Sequence, residues 1–504
     1  MAEVESVSKA VTVLKNGSVC DGSAHAALPA DVWIRGNKIL AVLPPGAAPE
    51  GYADLQSLDH RTEHDCSGFV IAPGFIDVHT HDDAVVLDHP DMLPKLSQGI
   101  TTVVTGNCGI SLVPMVTAAP EPPLSLLGTR QFRFPSLDAY RNQVIQTRPG
   151  VNVAALIGHT TLRMQVMADL TKPATPEEVR QMSAILDRAM AEGALGMSSG
   201  VFYQQAYAAN QEELTSLVKV VARHGGVYST HIRDELRGIV EAIEEAALTA
   251  RQAGVPLVLS HHKCAGPANW GRTAETLPLI EKLARQQPIS MDVYPYTAGS
   301  TVLREDLVDG VIDILITGSD THPEMVGLYL KDIAALWGVS QVQACQRLQP
   351  GGACYFQMRQ DDVDRVVCHP LSMIGSDGLP HDKRPHPRLW GAFPRVLDQY
   401  WRVKGVLPFE QAIHKMTGMS ASRFGLKGRG YLRPGFFADM VVIDPAKVRD
   451  QATYAEPTRF SDGVEQVWVN GRLSYIGRQR RVATRAGGFI SRDDPGPLHF
   501  TDEV

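Results

Sequence analysis

Residues 175–197 read TPEEVRQMSAILDRAMAEGALGM. Thr175, Pro176 and Glu178 spell a helix start: a hydroxyl cap, a proline at the first helical position, and a carboxylate that can reach back to the cap. Val179, Met182, Ile185, Leu186 and Ala189 then recur at helical spacing, and Gly193 stops the run. A strand is expected over Ala194–Met197. The unit repeats downstream. Asn210 and Glu213 open a helix with Leu214, Leu217, Val218 and Val221 on its apolar face, and Val227–Thr230 reads as the next strand. Helix Ile239–Ala253 leads to strand Val255–Ser260, and Thr273–Arg285 leads to Ile289–Val293. Strands separated by helices of this length need right-handed crossovers and therefore lie parallel. No GxGxxG follows a first strand, so an open dinucleotide-binding sheet loses its main support. The expected core is an α/β fold, a (β/α)8 TIM-like barrel.

Working outward, both ends of the chain change character. Asn16-Gly17, Asp21-Gly22 and Gly36-Asn37 punctuate short β-type runs between Val11 and Val42, which is hairpin chemistry. Ala438–Ile443 and Val464–Val469, the latter ending at Asn470-Gly471, do likewise. The expected layout is a small β-sandwich built from residues 1–72 and 426–504 around a catalytic barrel at 73–425. The stretch from about 299 to 352 breaks the βα rhythm and is expected to be an inserted lid over the barrel mouth.

The composition bounds the function. Lys+Arg total 48 against 55 Asp+Glu, a net charge of −7, and no basic stripe suggests nucleic acid as a partner. No run of about 18 apolar residues marks a membrane span. Met1–Glu5 lacks a basic segment followed by an apolar one, so no secretory leader is expected. The seven cysteines are scattered without a CxxC pair. That pattern reads as reduced thiols in a cytoplasmic protein, retained for packing or for chemistry.

Chemistry concentrates at strand ends. In Gly74-Phe75-Ile76-Asp77-Val78-His79-Thr80-His81, alternation puts Asp77, His79 and His81 on one side. Two imidazoles so spaced can grip one metal ion, and buried histidines are otherwise hard to justify in an apolar barrel. Ile100–Thr105 runs into Gly106-Asn107-Cys108-Gly109, Val227–Thr230 into His231, Leu257–Ser260 into His261-His262-Lys263, and Leu371–Gly375 into Ser376-Asp377-Gly378. In a parallel barrel these ends open onto one face. Taken singly, Cys108 reads as a small buried hydrophobe and Asp377 as a turn residue. Their coincidence at several strand ends is what argues for a site.

The segments GFIDVHTHDD, QGITTVVTGNCGIS, STHIRD, SHHK and GSDG resemble the amidohydrolase superfamily, and more narrowly its zinc-dependent N-acyl-D-amino-acid deacylases, the D-aminoacylases. Gly-Asn-Cys-Gly and His386-Pro387-Arg388-Leu389-Trp390-Gly391 carry the narrower likeness. The resemblance implies one tight Zn²⁺ on Cys108, His231 and His261. His79, His81 and Asp377 would line a second, weaker position, with Cys108 reaching both. His262 is the rival of His261, since strand alternation turns only one of them inward. The resemblance further implies Asp377 as general base and then acid. It implies Lys263, Tyr294, Ser300 and Arg388 as partners of a substrate carboxylate, and Phe202, Tyr203, Tyr355 and Met358 around the substrate side chain. The expected partner is therefore a small N-acyl amino acid.

Three alternatives stay open at this point. One is a deacylase specific for N-acyl-D-glutamate or N-acyl-D-aspartate, in which Arg304 could meet an acidic side chain. Another is a hydantoinase- or dihydroorotase-like cyclic amidohydrolase. Those relatives use a carbamylated lysine in mid-barrel, whereas Gly193–Gly200 (GALGMSSG) has none. The last is a metal-free scaffold relative, which would show gaps in the ligand set.

Overall fold

A computed structural model describes residues 10–50, 52 and 61–494. Met1–Glu5, on which the leaderless reading rests, lies outside them. Eight parallel strands form one sheet in sequential order, numbered here β1 (Phe75–Asp77), β2 (Ile100–Thr105), β3 (Asn152–Gly158), β4 (Gly196–Gly200), β5 (Val227–His231), β6 (Leu257–Leu259), β7 (Ile289–Val293) and β8 (Ser372–Ile374). The sheet curls until its first and last strands meet just beyond their C-terminal ends. There Thr80 bridges Gly378, and Asp377 N donates to His79 O at 2.8 Å. The result is a nearly closed barrel. Every residue of β2 and β3 is buried, as expected of strands covered on both faces.

The opening segment forms helix Pro176–Ala191 with the expected capping box: Glu178 N donates to Thr175 Oγ1 at 3.3 Å, and Thr175 N to Glu178 Oε2 at 2.8 Å. Met182, Leu186, Ala189 and Met190 are its buried face. The following strand is shifted from the expected Ala194–Met197 to Gly196–Gly200. Gly-Met-Ser-Ser-Gly has little β preference of its own. Parallel pairing to β3 and β5 imposes the extended form. A Cβ on Gly196 would lie 1.9 Å from Val227 O, so the two backbones approach where only glycine fits.

Both ends of the chain meet in one mixed sheet of nine strands among the described residues. Its seam pairs Val70–Pro73 antiparallel with Met440–Ile443. Asn16-Gly17 is not the expected hairpin turn; it is an irregularity within Val11–Val19, with Asn16 at φ 61°. The irregularity lets one strand edge serve two partners: Val11–Lys15 pairs with Arg61–Asp65, and Ser18-Val19 with Val70-Ile71. Gly36-Asn37 and Asn470-Gly471 do turn hairpins.

The segment expected to be an insertion forms a three-stranded antiparallel sheet, Gly299–Val302, Ile314–Ser319 and Gly351–Tyr355, with helices Leu330–Trp337 and Gln341–Leu348. Ile314, Ile316, Leu330, Ile333, Leu348 and Tyr355 belong to a core of its own. Among the described residues, no helix is long and apolar enough to cross a membrane.

Candidate functional site

The strand ends converge as parallel pairing requires. Cys108 Sγ lies 3.1 Å from His79 Nε2 and 3.4 Å from His261 Nε2. His261 Nε2 lies 3.1 Å from His231 Nδ1. Asp377 Oδ1 lies 3.1 Å from His81 Nε2 and 3.5 Å from His79 Nε2. Two overlapping groups result, His79-His81-Cys108-Asp377 and Cys108-His231-His261, and within each the donor atoms lie within 4.8 Å of one another. Cys108 is common to both. His262 turns away, its Nε2 2.9 Å from Thr276 Oγ1.

The backbone is bent to achieve this. Cys108, His261 and Asp377 have φ of 53°, 36° and 50°, in the left-handed region that side chains avoid. Each such residue costs about 1–3 kcal/mol and persists only where its surroundings over-determine it. At Cys108 the surroundings include Gly200 at the end of β4, where a Cβ would stand 2.0 Å from Cys108 O. The strand that lacks a lysine thus supplies room for the cysteine turn.

Burial alone raises the Cys108 thiol, but the charges of His79 and His261 outweigh it and hold the thiol well below its ordinary range. Burial likewise opposes ionisation of Asp377. Arg388, with Nη1 2.7 Å from Asp377 Oδ2, and then His79 overcome it and hold the carboxyl well below the usual range. Thiolate, carboxylate and imidazole nitrogens thus crowd one another at 3.1–3.4 Å. Donor atoms gathered in this way suit a cation in place of the protons between them. Thiolate with imidazole is a donor set suited to zinc.

A cavity opens over the cluster, lined by His81, Cys108, His231, His261 and Asp377 together with Phe202, Tyr203, Lys263, Tyr294, Ser300 and Tyr355. The insertion supplies part of its wall through Ser300, Thr301, Leu307 and Tyr355. Phe202 stacks on His231 with ring centroids 4.6 Å apart. Ser300 Oγ is buried without a hydrogen-bond partner. Two expected contacts sit elsewhere. Met358 lines a small adjoining cavity with His262 and Val363, which shares His261, Lys263 and Tyr294 with the main one. Arg388 is fully buried behind Asp377, with Nη2 donating to Ser300 O at 3.2 Å and its guanidinium 4.4 Å from the Tyr294 ring centre.

Comparison with known proteins fits this geometry. The amidohydrolase family model matches residues 62–475. A D-aminoacylase of Alcaligenes xylosoxydans xylosoxydans is 48% identical over 95% of this chain and 97% of its own length. The chain belongs to the amidohydrolase family. An N-acyl-D-aspartate deacylase of the same organism is 44% identical over 96% of both chains, and an N-acyl-D-glutamate deacylase is 42% identical over 95% of this chain and 96% of its own. A solved D-aminoacylase, described with a binuclear metal centre, superposes with a TM-score of 0.90 at 46% identity, covering 95% of this chain and 99% of its own. An N-acyl-D-glutamate deacylase of Bordetella bronchiseptica, complexed with zinc and a phosphonate mimic of the tetrahedral intermediate, superposes at 0.89 with 42% identity, again over 95% and 99%. A D-hydantoinase from Thermus sp. shares the fold at 15% identity and a TM-score of 0.59, over 96% of this chain and 99% of its own.

This amidohydrolase also carries site residues that the sequence reading missed. Asp292, fourth in β7, accepts from His261 N at 2.9 Å and lies 3.1 Å from His79 Nδ1. Glu235, just past β5, lies 2.6 Å from Lys263 Nζ and 3.1 Å from His261 Nδ1. Lys95 is wholly buried and donates to Asp77 Oδ2 at 2.8 Å and to Ser376 Oγ at 2.9 Å. Asp77 is thereby turned to Lys95 rather than into the cluster. Asp292 stands near the end of an expected strand, so the rule that selected Cys108 and Asp377 could have selected it. Lys95 sits in a short helix that sequence alone does not place.

Proposed function

We propose that this amidohydrolase hydrolyses N-acyl-D-amino acids to a D-amino acid and a carboxylate. Cys108, His231 and His261 hold a tight zinc, and His79, His81 and Asp377 offer a second, weaker position. The observation that carries the proposal is the sharing of Cys108 between two converging donor groups at the floor of one cavity. The named activities of the relatives supply the D-amino-acid class. The lysine-free β4 and complete donor set count against the cyclic-amide and scaffold readings.

When bound, zinc supplies a Lewis acid for the amide carbonyl and a water acidified toward ~7. The chain does the rest. Asp377, kept ionised by Arg388, accepts the water's proton on Oδ1 and returns it to the leaving amine, so one carboxylate serves as base and then acid. Lys263, Tyr294 and Ser300, which line the cavity, would hold the substrate carboxylate, where charge-assisted hydrogen bonds are strongest. The free Ser300 hydroxyl supports that role, and buried Arg388 acts through Asp377.

For the side chain, Leu126, Leu236, Leu307, Leu379 and Phe202 form an apolar wall that suits an uncharged group. Arg304, which would favour an acidic one, is paired with Asp306 and stacked 4.4 Å from the Phe202 ring centre. Purified enzyme assayed with N-acetyl-D-leucine, its L-enantiomer, N-acetyl-D-glutamate and hydantoin, alongside zinc analysis, tests the proposal. Turnover of D-acyl amino acids with bound zinc is expected, the leucine derivative leading. Hydantoin opening alone, or zinc-free protein without amide turnover, would contradict it.

A further inference from the structure

Glu235 enters neither the donor groups nor the carboxylate-binding set, yet its position touches both. Its residue is 4% exposed, and the exposed remainder faces the cavity. A single oxygen, Oε1, lies 2.6 Å from Lys263 Nζ, 3.1 Å from His261 Nδ1 and 3.6 Å from His231 Nε2. On both rings these are the nitrogens turned away from the cluster. The opposite nitrogens, His261 Nε2 and His231 Nδ1, face each other at 3.1 Å, and His261 Nε2 also faces Cys108. The loop bearing Glu235 is itself anchored, because Glu235 O accepts from Ala265 N at 2.8 Å across the ends of β5 and β6.

We propose that Glu235 is a positioning residue that fixes the two imidazoles of the tight site and, through Lys263, sets where the substrate carboxylate docks relative to them. The inference rests on the zinc reading above. A carboxylate on the outer nitrogen of a metal-ligating histidine locks ring orientation and strengthens the donor. Here one carboxylate faces the outer nitrogens of two ligands, at 3.1 Å on His261 and 3.6 Å on His231. It also balances Lys263, whose ammonium lies 2.8 Å from His261 Nδ1 and would otherwise stand unopposed beside a ligand of a divalent cation. Asp292 plays the matching part on the other side, holding His79 Nδ1 and His261 N, but it does not line the cavity. Glu235 alone of the two joins the metal ligands to the substrate anchor.

The test compares wild type with Glu235→Gln, which keeps the shape and loses the charge, and with Glu235→Ala, all as full-length protein. Zinc affinity is read by chelator competition, and the thermal midpoint of the metal-free protein serves as a folding control. Glu235→Gln should weaken zinc binding roughly 10- to 100-fold, the usual effect of losing such a partner, with an unchanged metal-free midpoint. In zinc-saturated Glu235→Gln, KM for the N-acyl-D-amino acid should rise more than kcat falls, because Lys263 loses its anchor. Should the alanine variant fail to fold, the glutamine variant decides alone. Tight wild-type zinc binding with Glu235→Gln within twofold of it would overturn this inference and leave the zinc reading standing. A wild-type chain that takes up no zinc would overturn both.

Discussion

Two adjacent histidines just past β6, His261 and His262, share residue type and burial, and only one faces the cluster. The direction each takes follows from the turn at the end of β6, where His261 adopts φ 36° while His262 packs its ring on Thr276. His261→Ala should abolish tight zinc binding and with it turnover. His262→Ala should keep zinc and lose about 1–3 kcal/mol of stability, the ordinary cost of an unfilled, partly polar core position. Zinc analysis and denaturant unfolding of the two variants separate these outcomes. At this scale the strand-end residues were legible because a histidine, cysteine or aspartate is conspicuous beside apolar strands. Glu235 and Lys95 were not, since neither closes a strand and each gains meaning only from a partner distant in sequence. Met358 was expected in the cavity wall only on the family resemblance, and it lines the small adjoining cavity instead.

The contacts between elements explain how the strand ends are held. Lys95, on the short helix Leu93–Leu96 between β1 and β2, reaches Asp77 at the end of β1 and Ser376 just past β8. It ties the barrel's closing strands where hydrogen bonding between them is sparse. Lys95→Met would leave Asp77 buried and unopposed, which typically costs about 3–5 kcal/mol. Chemical unfolding should show that loss, with turnover falling as Asp377 loosens. A change below about 1 kcal/mol would deny the clamp. A second buried cluster joins helices His159–Val166 and Gln211–Arg223, where Glu213 meets His159 and Arg163. Burial pushes the Glu213 carboxyl up, but His159 and Arg163 bring it down to about 2, below the 4.5 of an ordinary glutamate. The folded state therefore binds fewer protons than the unfolded state in this range. Stability from Glu213 is present above pH 4.5 and is lost as pH falls toward about 2. Glu213→Gln should flatten that part of the pH–stability curve. Helix boundaries here were readable from capping chemistry, whereas β4 was displaced because its glycine- and serine-rich sequence takes its form from its neighbours.

Over the whole molecule, the repeat of strand and capped helix is enough to specify the barrel, because parallel pairing with right-handed crossovers leaves few alternatives. The pairing of the two termini was readable only as matching β character. Their joining through Val70–Pro73 and Met440–Ile443 depends on contacts some 370 residues apart. Asn16-Gly17, a turn by local preference, became an irregularity because the strand had to serve two partners. The stretch that loses the βα rhythm has a sheet and core of its own and contributes Ser300, Thr301, Leu307 and Tyr355 to the cavity wall. Together these parts bring a cysteine, four histidines and an aspartate to one barrel mouth. The most direct test is zinc content and turnover measured on the same sample of Asp377→Ala. The account predicts zinc close to the wild-type content at the tight site with N-acyl-D-amino acid hydrolysis abolished. Full activity in that variant would contradict it.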